Sequence, residues 1–332
     1  TMTEEQARNL LELRDDQLGA AAAFYASPKK PAIRFWELPW CEEIYVPVDG
    51  GEIRVLHVKA ENAATRGPLV FVPGWGMIPE GFIDYYSAIH GQVDFYYIET
   101  REKHTSRLVG KNPDMSVSQN ARDIQAALDA LGLSRLDDFV LSATCWGSAS
   151  MLQGLIDGAL EAPTIVAVDP MHTLWFPKWV LRYLSPIIPL WSVDFLKPIF
   201  RQALVGNMQE KVQRERIFAC IEAADNRKWK RSAEAAIDFE LFGRLSKVDR
   251  EVFVFNVSSD KVHENFNYPR VAAEMPKARF IYIPGHESDR ERGMGTVCLE
   301  FAKVGRKQGM PAPLARFELP LHGPAGNNIS TG

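Results

Sequence analysis

The chain has 332 residues, 46% of them hydrophobic and 24% charged, with a formal net charge of −4. That length holds one large α/β domain or two average ones, and the composition supplies a substantial core. The slight negative charge gives no footing for nucleic acid, and the four cysteines (Cys41, Cys145, Cys220, Cys298) are far apart and show no metal or redox spacing.

From Glu4 to about Tyr25, Ala7, Leu10, Leu11 and Leu18 recur at helical spacing, which predicts one amphipathic helix closed by Pro28 and Pro31. The runs Glu43–Val48 and Glu52–Lys59, separated by Asp49-Gly50-Gly51, predict a β-hairpin. Pro68–Pro73 reads as a buried strand ending in the turn Gly74-Trp75-Gly76-Met77, and Val93–Ile98 as another strand. Between Ser116 and Gly132, Ala121, Ile124, Leu128 and Leu131 share a helical face, with Ser118 as the expected cap and Gly132 as the stop. Thr164–Val168, Val252–Val257 and Arg279–Ile283 complete the strands. Short apolar strands alternating with helices predict an α/β protein, a mostly parallel twisted sheet covered on both faces.

From His172 to about Leu245 no strand-like run occurs, and seven aromatics fall between Trp175 and Phe200. This predicts a helical cap inserted between two strands, its aromatics lining an apolar cleft. The expected organisation is an N-terminal helical extension (1–42), a core (43–170 and 246–310), the cap (171–245) and a tail (311–332) rich in Pro, Gly and Asn with little structure. No basic start precedes a long apolar run and no apolar stretch is long enough to span a bilayer, so a reducing, cytoplasmic setting is expected.

The run Asp138 to Leu152 reads as an apolar strand, a tight turn at Cys145 and a helix of small residues. A nucleophile on such a turn stands exposed above the sheet edge and needs small neighbours two residues before and after, here Ala143 and Gly147. Ser148 has Trp146 two residues before it and Ser142 lies inside the strand, so neither fits as well. A thiol here gains acidity from the helix N-terminus and from a histidine partner. A buried structural cysteine is the plain alternative.

The partners should follow in chain order, acid then histidine, each on a loop at a strand's carboxyl end. Asp260 follows Val252–Val257, and His286 follows the last strand; among seven histidines only His286 has both that order and that position. Asp169, ending Thr164–Val168, is the alternative acid. Backbone N–H groups of Trp146 and Trp75, with Gly76 a weaker candidate, would hold an oxyanion. Trp175, Phe176, Trp179, Tyr183 and Trp191 are the expected substrate-binding residues of the cap, with a hydrophobic partner or membrane surface as the other use for them.

The hairpin, the Pro-Gly-Trp-Gly turn, the elbow at Cys145, the inserted cap, Asp260 and His286 together resemble the α/β-hydrolase superfamily over residues 43–305. Two branches with cysteine nucleophiles, dienelactone hydrolases and polyhydroxyalkanoate synthases, favour Gly-x-Cys-x-Gly-Gly, whereas this chain has Ala143 and Ser148 at the outer positions. The resemblance implies a Cys145–His286–Asp260 triad acting without a cofactor or metal. Because sulfur attack on a thioester is near neutral, the expected substrate is a bulky or long apolar ester or thioester, such as an acyl-CoA or carrier-protein thioester. Hydrolysis and transfer to an alcohol, amine or thiol both remain open. So do a serine-type esterase in which Cys145 replaces the serine, a non-covalent lyase and a non-catalytic binding protein.

Overall fold

The computed structural model describes residues 1–206, 208, 210–258 and 264–321. Two helices open the chain, α1 (Glu4–Leu11) and α2 (Asp15–Phe24), where one was expected. Both carry their own start signal: the Thr3 side chain accepts the Gln6 N–H, and the Gln17 side chain accepts the Arg14 N–H. Glu12 and Arg14 are extended, so the apolar spacing runs on across a break made by the second cap.

The strands β1 (Cys41–Val48) and β2 (Gly51–Val58) form the hairpin on the two-residue turn Asp49-Gly50. Next come β3 (Leu69–Val72), α3 (Ile83–Ile89), β4 (Phe95–Ile98) and β5 (Arg107–Leu108). Helix α4 (Val117–Ala130) is capped by Ser116, whose hydroxyl accepts the Gln119 N–H; Ser118, the expected cap, lies in the first turn and bonds Asp157 instead. Then follow β6 (Val140–Thr144), α5 (Cys145–Ile156) and β7 (Thr164–Val168).

Between β7 and β8 (Val252–Ser258) the chain leaves the sheet for α6 (Leu190–Val205), α7 (Lys211–Ala223) and α8 (Asn226–Ala235), preceded by a π-helical turn at Val180–Leu184. It returns through α9 (Asn267–Glu274), β9 (Ala278–Gly285) and α10 (Arg290–Val304). Residues 311–319, expected to carry little structure, add α11 (Ala312–Ala315) and the edge strand β10 (Glu318–Leu319). Arg279 fixes that edge through two hydrogen bonds of 2.7 Å to Glu318, a long-range contact that local composition cannot foreshadow.

The sheet runs β1-β2-β4-β3-β6-β7-β8-β9-β10, with β5 beside β2. The six strands β4-β3-β6-β7-β8-β9 are parallel, and the hairpin and β10 add antiparallel edges. Two apolar layers cover it. One joins α4, α5 and α9 to one face, the other α2, α3 and α10 to the opposite face. From β3 the chain steps to β4 on one side, while β6 and its successors build on the other. The carboxyl ends of β3 and β6 therefore flank the point where strand order reverses, where open α/β sheets place their ligands.

Candidate active site

Cys145 stands at that point, directly after β6 and first in α5, with φ of 53°. A non-glycine residue in this left-handed region is costly, and such strain is held where a side chain must be presented. The crossing of β3 and α5 explains Gly147. A Cβ there would lie 2.5 Å from the Pro73 carbonyl oxygen and 2.6 Å from that of Val72. Gly74 abuts Cys145 from the β3 side: its Cβ would sit 3.2 Å from Cys145 Cβ and 3.6 Å from Sγ.

The sulfur is packed against Met171, Sγ to Sδ 3.0 Å, and the Met171 N–H donates to the Cys145 carbonyl. Burial pushes the thiol pKa above its ordinary value; the nearby Arg290 guanidinium and the Trp146 N–H pull it back only in part. Arg290 is itself built into the turn. Its Nε donates to Asp169 Oδ2 (3.2 Å) and Nη2 to the Thr144 hydroxyl (3.1 Å). Burial opposes its charge, but Asp169 and Glu291 outweigh that and raise its pKa. Asp169, at φ 42°, also accepts the Val257 N–H. Its carboxylate thus ties β7, β8 and α10 together beside the thiol.

Of the expected site residues, the structure brings together Cys145, Trp146 and, through Gly74, the turn bearing Trp75. Among the described residues nothing accepts a hydrogen bond from the Trp75 amide, whereas the Gly76 N–H already points to Glu102 Oε1 at 3.4 Å. His286 sits on the loop after β9, but its ring is 62% exposed and engages Ser288 through Nδ1 (3.0 Å) and Glu210 (3.8 Å). Among the described residues no hydrogen bond joins it to Cys145. Asp260 lies outside the described residues.

The cap aromatics divide. Trp175 and Phe176 line an apolar cavity of about 170 Å³ with Trp75, Leu174, Leu181 and Trp229. Trp179, Tyr183 and Trp191, expected in the same cleft, point outward and are mostly exposed. The segment is apolar on both sides, so helical spacing alone cannot tell inward from outward. Trp75 joins cavity to turn: its indole leans on Trp229 at 4.2 Å and donates to Ser232 at 3.1 Å. Gly76, at φ 65°, leaves the space Trp229 fills; a Cβ would meet that ring at 2.2 Å.

Two features escaped the sequence reading. His172, one residue past Met171, bonds Glu240 at 2.9 Å. Burial opposes ionisation of Glu240, but the His172 bond and the Phe242 N–H hold its carboxyl below the usual range. The pairing spans 68 positions and left no local signal. Arg290 was equally invisible, being one arginine among many in a charged run.

The overall fold is shared with solved proteins. A hydrolase from Pseudomonas aeruginosa superposes with a TM-score of 0.60 at 14% identity, covering 81% of this chain and 99% of that one. The fold is that of the α/β-hydrolases. An esterase from Exiguobacterium antarcticum (TM-score 0.64, 13% identity, 79% and 100% covered) and a bacterial membrane phospholipase A (0.57, 15%, 86% and 87%) share this α/β-hydrolase fold. No family model and no curated protein matches the sequence.

Proposed function

We propose that the chain is an acyl-transfer enzyme of the hydrolase type that works through a covalent acyl-cysteine at Cys145. The observation that carries this reading is a thiol held at positive φ on the turn between β6 and α5, against the Gly74–Trp75 turn whose tryptophan amide has no acceptor among the described residues. Esterases and hydrolases among the proteins with this fold add support, including the phospholipase.

Because burial keeps the thiol protonated at neutral pH, a base must act. His286 takes the proton after leaving Ser288, as the sulfur attacks the acyl carbon and a C–S bond forms. The amides of Trp75 and Trp146 hold the oxyanion. Its collapse breaks the bond to the leaving alcohol or thiol, which receives the proton from His286. Water, deprotonated by the same ring, then releases the acid and restores the thiol. Asp260, or Asp169 in its place, orients the ring. The apolar cavity within the cap, which Trp75 joins from the core, accepts the acyl chain, which favours a hydrophobic ester or thioester. Water as acceptor gives hydrolysis; an alcohol, amine or thiol gives transfer. A second assignment of the base rests on the His172–Glu240 pair, already at hydrogen-bond distance.

Incubation with a panel of acyl-CoA and aryl esters tests the scheme, following product and intact mass. An acyl adduct in the wild type that Cys145→Ala abolishes supports it, and full activity in Cys145→Ala removes it. Of His286→Ala and His172→Ala, the variant that loses about 10²–10⁴-fold in rate identifies the base.

A further inference from the structure

We propose that the outer face of the cap docks on an anionic phospholipid surface. From Trp175 to Ile199 every fourth residue is a large apolar side chain, three of them tryptophan, and each is at least half exposed. On α6 this spacing puts Trp191, Phe195 and Ile199 on one stripe, while Val193 and Leu196 turn inward to the cavity. An exposed stripe of this size is unusual on a free-standing surface and marks a contact.

Three observations select a lipid surface as the occupant. The side chains combine tryptophan and tyrosine with aliphatics, the mixture that settles at a bilayer's interface, where an amphipathic ring meets both headgroup and chain. The same segment is basic: residues 174–206 hold Lys178, Arg182, Lys197 and Arg201 against Asp194 alone, in a chain whose net charge is −4. Lys178 is exposed and has no ion-pair partner among the described residues, and Arg182 forms an exposed pair with Asp238 that can reorient toward phosphate; Lys197 and Arg201, more buried, pair with Asp194 and Glu222. Finally, Trp175 belongs to both surfaces, half exposed outside and part of the cavity wall inside. Trp175 is thus the residue through which the outer stripe meets the lining of the cavity that Trp75 shares. A second copy of the chain seated there would cover that junction, whereas a lipid layer would lead into it.

The docking does not depend on chemistry at Cys145, so binding is read with the full chain and with Cys145→Ala side by side. Flotation with phosphatidylcholine vesicles, alone or mixed with phosphatidylserine, is followed together with tryptophan emission. The expected result is binding to the mixed vesicles, a blue shift, at least about tenfold weaker binding without phosphatidylserine, and weakening by salt. The triple variant Trp179→Ser/Trp191→Ser/Phe195→Ser should lose most of this binding with an unchanged thermal midpoint, and Lys178→Glu should weaken it several-fold. Absence of flotation overturns the proposal, as does flotation that the triple variant leaves intact. So does a wild-type dimer that the triple variant converts to monomer, which would make a second copy the occupant.

Discussion

At the residue scale the unusual object is a thiol held where burial disfavours its anion. Desolvation raises the Cys145 pKa, and Arg290, with the Trp146 N–H, opposes this without cancelling it. The folded chain thus holds this proton to higher pH than the unfolded chain. Iodoacetamide labelling of Cys145, followed by peptide mass, should be slow at neutral pH and rise through a midpoint above 9.0, the ordinary thiol value. Arg290→Gln removes the attractive charge and should move the midpoint further up, slowing labelling at any fixed pH below it. Rapid labelling at neutral pH with a midpoint below 9.0 would contradict this account. The place of Cys145 on the turn between β6 and α5 was legible in the sequence because the constraint is local: Gly147 marks a crossing that only a residue without a side chain permits. The charge that tunes it was not, since Arg290 meets Thr144 across 146 positions.

At the element scale, the loop after β4 supports the site from below. Glu99, Thr100, Arg101, Glu102, Lys103 and Ser106 are all buried. Lys103 Nζ donates to the Gly74 carbonyl (2.7 Å), the Thr100 hydroxyl (3.1 Å) and Glu102 Oε1 (2.7 Å), while Glu102 Oε1 receives the Gly76 N–H. This ion pair clamps the Gly74–Gly76 turn from both ends, which makes the two side chains positioning residues for the Trp75 amide. Burial opposes ionisation of Glu102, but Lys103 holds its pKa below the usual range. The pair therefore contributes stability above the carboxylate's unfolded value, and that stability is lost as pH falls through the folded value. Lys103→Met leaves a carboxylate buried without its cation, at a cost of about 3–5 kcal/mol by urea unfolding near neutral pH. In the variant burial is no longer offset by Lys103, leaving only the Thr100 hydroxyl and backbone donors against it, so the Glu102 pKa rises and mild acidification should recover stability, the opposite slope to the wild type. A Lys103→Met protein as stable as the wild type, or with an unchanged pH slope, would remove the clamp. Alternating apolar strands announced the sheet, but a run of charged residues reads as solvated loop until the turn it supports is seen.

At the scale of the whole molecule, the N-terminal extension is tied to the loop that carries His286. Tyr25, at the end of α2, donates its hydroxyl to the Ile283 carbonyl in β9 at 2.8 Å. Its ring fills the space beside Gly285 and Gly293, where a Cβ would approach it to 2.7 Å and 2.8 Å. Arg292 in α10 donates to the Tyr25 and Ser27 carbonyls, closing the chain over the end of β9 from the other side. The first 27 residues thus act as a strap over the strand and helix that flank His286. Their helical spacing was legible, but which strand they would cover was not, because Tyr25 meets Ile283 across 258 positions. Tyr25→Phe should cost about 1 kcal/mol, the worth of one buried hydrogen bond, with little change in rate. Tyr25→Ala also empties the space between β9 and α10 and should cost about 3–5 kcal/mol by urea unfolding. Hydrogen exchange gives the finer test. If the strap orders the His286 loop, exchange of residues 283–289 rises in Tyr25→Ala while that of β3 and β6 holds. Equal protection in both proteins would leave the extension a passive cover of the β9 edge.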